Sequence, residues 1–464
     1  MMLAARQTTF PKLINAFHRA PEFIALTDRI CNSTKPSYAF DGVPAIAIDP
    51  DRSLTGAQLQ QMLNSAPPNS TLSLPEKTLI RLTQPLIIPR TLTLQTQGSI
   101  MPNRYAQQAR LVRSGPWSGS LIQVMPGAQL KHLWIDGQRS ANATTTTSAY
   151  ASGNYNVTMQ GGANTAVNFN RIGNTAGATN VEARNTVNNP IDPSEYQCQR
   201  NQILGNLIEA YTSQQADRQW SDGISVHCED TEVAGNAVLD ATDVGIIIFS
   251  YTNPWLGDRV IPQASYVHDN QVINVGNSAF AALGADPFFS YARNTLTNQP
   301  LEGDPPCNSN PCQASRSFQG ARMVNNFFWT GDEVHYEIGL AVGTRPWFNI
   351  NSYTGRGGEF SSNSTGILRA RTDYGIVVSG IIDTTVQNNS LNLEATDVSL
   401  CPYSTETAAK RRSGASRSNN IGLGIGYASG NIQQGASGYT IAPFTDCIGK
   451  TLNPKRSFWD FLRF

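Results

Sequence analysis

Asparagine returns at the head of one short apolar segment after another. The segments "GNLIEA" from Gly205, "GNAVLDATDVGIIIF" from Gly235, "DNQVINVGNSAFAAL" from Asp269, "NNFFWT" from Asn325 and "NNSLNLEATD" from Asn388 superpose on that residue. Behind each asparagine, apolar and polar side chains alternate with the period of a β-strand. Strands this short cannot bury an apolar face alone, so repeated units of this kind stack as the rungs of a solenoid. In the two fullest copies Asn236 falls on Asn270, Asp240 on Asn274, Asp243 on Asn277 and Ile246 on Phe280. A later stretch, "TDYGIVVSG" from Thr372, repeats "TDVGIIIFS" from Thr242. With rungs about 4.8 Å apart, equivalent residues form ladders, aliphatics inside and asparagine amides bonding rung to rung at the turns.

Composition agrees with many short strands and turns. Of 464 residues only 15% are charged, while Gly (38) and Pro (26) are plentiful. Lys plus Arg equals Asp plus Glu, so no net field draws in a polyanion and a nucleic-acid partner is not expected. The longest aliphatic runs, such as "VGIIIF", fall far short of the ~20 residues of a membrane span. The start, "MMLAARQTTFPKLINAFHRAPEF", has no continuous apolar core of a signal peptide. Seven cysteines include Cys307 and Cys312 in "CNSNPC", close enough for a local disulfide, and Cys401 and Cys447 around the last segment. They favour an oxidising compartment, extracellular or periplasmic. His268 and His335 show no metal-ligand spacing, and no Gly-rich phosphate loop or nucleophile elbow is present. No cofactor is expected.

The region "SLTGAQLQQMLNSAPPNSTLSLPEKTLIRLTQPLIIPRTLTLQ" reads as a short helix over 55 to 65, with Leu59, Met62 and Leu63 on one face, then strand, turn and strand. The helix would cap the open end of the core. This order of capping helix, "TLSLP", "PLIIP" and "TLTL" resembles the right-handed parallel β-helix superfamily of pectate lyases and polygalacturonases, over residues 53 to 400. The resemblance implies an all-β, single-stranded right-handed parallel β-helix with an N-terminal capping helix and long loop insertions. Residues 1 to 52 would form an N-terminal extension and 401 to 464 an irregular segment capping the far end. Residues 138 to 200, rich in Asn, Thr, Ala and Gly, are expected to hold irregular coils, and 252 to 264 and 287 to 320 long insertions.

Two acids sit at the heads of neighbouring strands. Asp222 in "WSDG" and Asp243 in "ATDVG" are separated by about one coil, and because Gly223 matches Gly245 they are offset by one residue. Diagonal neighbours of this kind bring carboxyl groups ~5 to ~9 Å apart, the range spanning retaining and inverting glycosidases. The pattern is similar to the Asn-Thr-Asp-Gly and Asp-Asp-Cys motifs on successive coils of polygalacturonases, and the resemblance implies Asp222 and Asp243 as its catalytic acids. Thr242 stands where one paired aspartate would be, and neither Gly-His-Gly nor Arg-Ile-Lys is found. The implied activity is therefore glycosidic cleavage of an oligo- or polysaccharide, not of galacturonan in particular. Alternation turns Ser225 and His227 outward beside the acids, with Phe249, Leu283 and Ser379 in the column of His227. Glu229 and Asp230 come next as reserve acids, Asp230 facing substrate. Arg345, Trp347, Asp373 and Tyr374 are expected near the same edge as substrate-binding groups.

Two other functions fit the same fold. A uronate lyase or epimerase would use Arg345 or His227 as base, with a Ca²⁺ held by acids neutralising the substrate carboxylate. A non-enzymatic glycan binder of the tailspike or adhesin kind would need no acid pair. Mixed polar loops point to a monomer or small homo-oligomer.

Overall fold

The computed structural model describes residues 54–98, 107–139 without 116, 150–209 without 152, and 220–287 without 251 and 254–258. It also describes 316–395 without 332–333, 344–345, 347–354, 367 and 369, and then 423–432 and 441–443. The proposed N-terminal extension, Arg345, Trp347 and the cysteines at 307, 312, 401 and 447 lie outside these residues.

Each coil passes through three faces in turn. One coil runs Asp222–Val226 on face one, Thr231–Ala234 on face two and Ala237–Leu239 on face three, and the next returns to face one at Val244–Phe249. Neighbouring coils pair in parallel on every face, wound in the right-handed sense that crossovers between parallel strands take. The result is a parallel β-helix. An antiparallel pair, Thr252–Asn253 with Arg259–Val260, projects from the coil inside the expected insertion at 252 to 264.

The inward columns are the aliphatic ladders that the alternation requires. Face one stacks Ile122, Val157, Val181, Ile224, Ile246, Leu283, Leu340 and Ile376. Face two stacks Leu94, Leu130, Val167, Ile203, Val233, Val267, Met323 and Phe360, and face three Ile80, Leu111, Ile135, Ile172, Ile208, Val238, Val272 and Phe328. All are buried in one continuous core.

Asparagines hold the corner between faces two and three. Asn170, Asn206, Asn236, Asn270, Asn326, Asn363 and Asn389 form a fully buried column. Each amide nitrogen reaches the side-chain oxygen of the next asparagine, at 3.1, 2.9, 2.9, 2.9, 3.0 and 3.0 Å along the series. The residue before each has a left-handed backbone: Phe169, Gly205, Gly235, Asp269, Asn325, Ser362 and Asn388. Gly, Asn and Asp tolerate that conformation best, which is why most copies of the repeat begin with a Gly, Asn or Asp followed by Asn.

Glycine recurs after the acids for a different reason. A Cβ on Gly223 would lie 2.4 Å from a methyl of Val238, and one on Gly245 2.3 Å from a methyl of Val272. Face three presses against these positions, so "DGI" and "DVGI" need Gly where the strand enters the core.

Four expectations need correction. The helix spans Gly56–Ser65 behind a Thr55/Gln58 capping box and buries Leu59 and Leu63, but Met62 is 42% exposed because it points away from the first coil. Within 138 to 200 the described residues 155 to 183 are more regular than expected: Tyr155–Met159, Ala166–Asn168, Arg171–Gly173 and Thr179–Ala183 are strands. Polar residues there are satisfied inside the stack, as where the Asn156 amide donates to the Gly173 carbonyl and Asn180 Oδ1, both at 2.8 Å. Ile246 pairs with Leu283, not Phe280, because the turn after Asn274 is three residues longer than the one after Asp240. The stack also continues beyond residue 400, with Leu423–Ile432 on Ala370–Gln387 and Ile441–Pro443 on Leu423–Ile432.

Candidate active site

Asp222 and Asp243 enter neighbouring rungs of face one at the same edge. Ile224 pairs with Ile246, which sets Asp222 level with Val244 and leaves Asp243 one residue behind. One rung across and one residue along is a backbone separation of about 6 Å. The two corners are tied together, since the amides of Thr242 and Asp243 both donate to the Ser221 carbonyl, at 3.0 and 3.1 Å. Ser221 is fixed in turn by the buried Arg139, whose Nη1 donates to its hydroxyl at 2.7 Å.

Both carboxyl groups are nearly covered, at 7% exposure for Asp222 and 4% for Asp243. Asp222 accepts from the Val244 amide through Oδ1 at 3.0 Å and from the Ser225 hydroxyl through Oδ2 at 2.8 Å. Ser225 Oγ also lies 3.0 Å from Thr179 Oγ1, where with its own proton on Asp222 it accepts. One carboxylate therefore both joins two rungs and anchors a row of hydroxyls.

His227 does not meet the acids. Five residues of extended chain put its backbone about 16 Å from that of Asp222 along the strand. It is buried rather than solvent-facing, at 5% exposure, because its ring stacks on Phe249 with centroids 4.4 Å apart and an interplanar angle of 3°. Phe249 is thus in its column as expected, but the next rung supplies Asp286, not Leu283. Its Nε2 lies 3.4 Å from Glu182 Oε1. Glu182 also grips Arg184, which lies over the ring of Tyr155 at 4.5 Å. Burial would push the Glu182 carboxyl up, but Arg184 and His227 together outweigh it and hold it below the usual carboxylate range. Glu182 and Arg184 were missed in the sequence. The trace was there, in two charges alternating with Val181 and Ala183 inside a strand.

Asp230 and Glu229 lie at the other end of the strand, toward face two. Asp230 is exposed and accepts from the Arg200 amide at 2.9 Å, closing a turn well away from the acidic pair. Glu229 is buried and accepts from the Cys198 amide at 3.0 Å. Burial pushes its carboxyl up to about 7, and its second oxygen has no partner among the described residues. Cys198 and Cys228 form a disulfide there.

Tyr374 is in the Asp222–Val244 column, as Val244 pairs with Ala281, Ala281 with Ile338 and Ile338 with Tyr374. It is 1% exposed and packs in an outward-face apolar cluster with Val244, Ile247, Phe249 and Phe280. It is therefore packing, not an open subsite. Asp373 lies on the same strand, one residue before Tyr374. Aromatic surface beside the acids comes instead from the half-buried Trp220 and Tyr150, arranged edge to face with centroids 6.4 Å apart. The outward side of face one thus changes character between two rungs: hydroxyls and charges up to Ser225, then from Val244 onward an apolar cluster with Asp286 in the column of Phe249.

No protein-family model and no curated relative matches the chain. Solved structures are similar to it in fold. The endo-xylogalacturonan hydrolase from Aspergillus tubingensis shares 13% identity over 84% of this chain and 92% of its own, with a TM-score of 0.38. The Family 28 exopolygalacturonase from Yersinia enterocolitica shares 12% over 83% and 74%, with a TM-score of 0.44, and the Dettilon tailspike protein 13% over 84% and 66%, with a TM-score of 0.38. The parallel β-helix rests on the strand pairing of this chain itself, and its chemistry has to be argued from its own residues.

Proposed function

We propose that the protein is a carbohydrate-active enzyme that hydrolyses glycosidic bonds of an oligo- or polysaccharide laid along face one. The observation that carries this reading is the placement of Asp222 and Asp243 on adjacent rungs, offset by one residue, at one edge of one sheet. Glycoside hydrolysis needs one carboxyl to protonate the leaving oxygen and another to activate water or attack the anomeric carbon. In this reading one of the two aspartates acts as the ionised partner and the other as the proton donor. Trp220 and Tyr150 offer ring faces for stacking on a sugar. Glu182 and His227, buried and paired with each other further along face one, brace the sheet instead of moving a proton. The Cys198–Cys228 disulfide supports an extracellular or periplasmic setting.

Asp222→Asn tests this cleanly, because the amide oxygen still accepts from Val244 while the carboxylate is gone. Cleavage in a polysaccharide panel should fall by ~10³-fold or more in Asp222→Asn and Asp243→Asn, with melting temperature nearly unchanged. Unsaturated, ultraviolet-absorbing products in the wild type would move the chemistry to elimination. A second reading is favoured by the two structural bonds of Asp222: the acids merely staple the coils, and the face binds glycan without cutting it. Wild-type protein that binds a glycan and leaves its chain length unchanged would establish that reading.

A further inference from the structure

The first coils carry a second groove that the acidic pair does not use. It has a volume of about 590 Å³ and lies over the corner between faces one and two. Its floor comes from successive coils: Thr93, then Pro126 to Gln129, then Gly162 to Asn164. Its wall is the segment around the short 3₁₀ turn Pro193–Tyr196. Arg90 holds that wall in place, meeting Glu195 through two parallel bonds of 2.7 and 2.8 Å and the Asn189 carbonyl at 2.8 Å. The floor is kept flat by glycine. Gly162 has φ +74°, and a Cβ there would lie 2.5 Å from the Pro126 ring.

The chemistry of the lining selects a ligand class. Arg90 and Glu195 are the charged residues of the lining and neutralise each other; Arg200 stands at the rim, its Nε donating to Asn164 Oδ1 at 3.0 Å. The other polar groups are amides and hydroxyls. The side chains of Gln129, Gln197 and Gln199 make no hydrogen bond to another described residue. Each amide offers donors and acceptors together, as sugar hydroxyls require. Gln129 and Gln199 lie two coils apart, about 9.6 Å, close to the length of two sugars in an extended chain. The asparagines of the far corner contrast with them, since every one of those amides is consumed by the stack.

We propose that this groove is a glycan-binding site separate from the acidic pair, taking an uncharged, hydroxyl-rich saccharide chain across the coils. It reaches beyond the reading of face one, since binding here requires no cleavage. The test is titration calorimetry on the whole chain with xylopentaose, galactopentaose and cellopentaose, and with trigalacturonate as the anionic control. At least one neutral pentasaccharide should bind saturably. Gln129→Ala with Gln199→Ala should weaken that binding by about tenfold or more, while Asp222→Asn leaves it unchanged. Gln129 is half-buried on the floor and Gln199 is exposed, and Thr93→Val serves if the double variant melts early. Absence of binding by all three neutral sugars, binding indifferent to these substitutions, or equal binding of trigalacturonate would each overturn the proposal. Because heat of binding is read, a protein that cleaves nothing still tests the groove.

Discussion

Replacing Asn270 by alanine tests the claim that the asparagine column, and not only the apolar core, holds the coils in register. Four buried hydrogen bonds are lost at once, although Asn236 Nδ2 keeps the Ile203 carbonyl and Asn326 Oδ1 keeps the residue-270 backbone amide. Its Oδ1 accepts from the Asn236 backbone amide at 3.0 Å and from the Asn236 side chain at 2.9 Å. Its Nδ2 donates to the Val233 carbonyl at 2.8 Å and to Asn326 Oδ1 at 2.9 Å. A buried group left unsatisfied costs ~1 to 3 kcal/mol, and partial relaxation brings the sum to roughly 4 kcal/mol. Asn389→Ala should cost less, because Asn389 serves three such groups. Equilibrium urea unfolding followed by circular dichroism gives both values. The double variant Asn236→Ala/Asn270→Ala adds a sharper measure: the two residues share two bonds, so its loss should fall short of the sum by ~1 kcal/mol or more. A loss under about 1 kcal/mol for Asn270→Ala, or strict additivity of the pair, refutes the reasoning.

Stability should depend on pH in a direction set by two buried acids. Burial pushes Glu229 up to about 7, from an ordinary 4.5, and Asp240 up to about 6, from 3.8. A raised folded-state value means the native protein holds the proton more tightly. The contribution is therefore present in full below about pH 4 and is lost as pH rises through 6 to 7, on the order of 3 kcal/mol each. Glu182, held low by Arg184 and His227, acts oppositely and loses its contribution as pH falls below the unfolded value of 4.5. The melting temperature should thus peak in mildly acid buffer, and Glu229→Gln with Asp240→Asn should flatten the alkaline side; a melting temperature still rising from pH 5 to 8 contradicts this. Gly245→Ala should destabilise by ~2 to 3 kcal/mol through overpacking, since its Cβ would approach Val272 and the Ala282 carbonyl. An unchanged urea midpoint would show that face three yields.

The fold was legible wherever local chemistry and stacking ask for the same residue. Asn206, Asn236, Asn270, Asn326 and Asn389 stand out because a residue suited to a left-handed backbone precedes each and an apolar strand comes after it. Asn170 and Asn363 occupy the same column unseen, behind Phe169 and Ser362, which no turn rule selects. The register beyond Asn274 was illegible because a side chain sets it. Asp240 Oδ1 accepts from the amides of Val275, Gly276 and Asn277, so the longer turn wraps around a carboxylate from the coil below. The adjacency of Asp222 and Asp243 could be read from their glycines. The Cys198–Cys228 pair was hidden for the opposite reason: its partners lie one coil apart, 30 residues in sequence, with nothing local to link them. His227 misled because alternation fixes a side chain's face and says nothing of its distance along the strand.

The helix at the amino end has a consequence beyond covering Leu59 and Leu63. Gln60 imitates a strand residue: its Nε2 donates to the Ile87 carbonyl at 2.9 Å, and its Oε1 accepts from the Ile87 amide at 2.8 Å. A first strand left bare would be a template onto which the last coil of a second molecule could add, and such head-to-tail contacts propagate without closing. One amide side chain occupies the template without extending it. At Ile87 a side chain thus stands where the backbone of a further strand would otherwise bond.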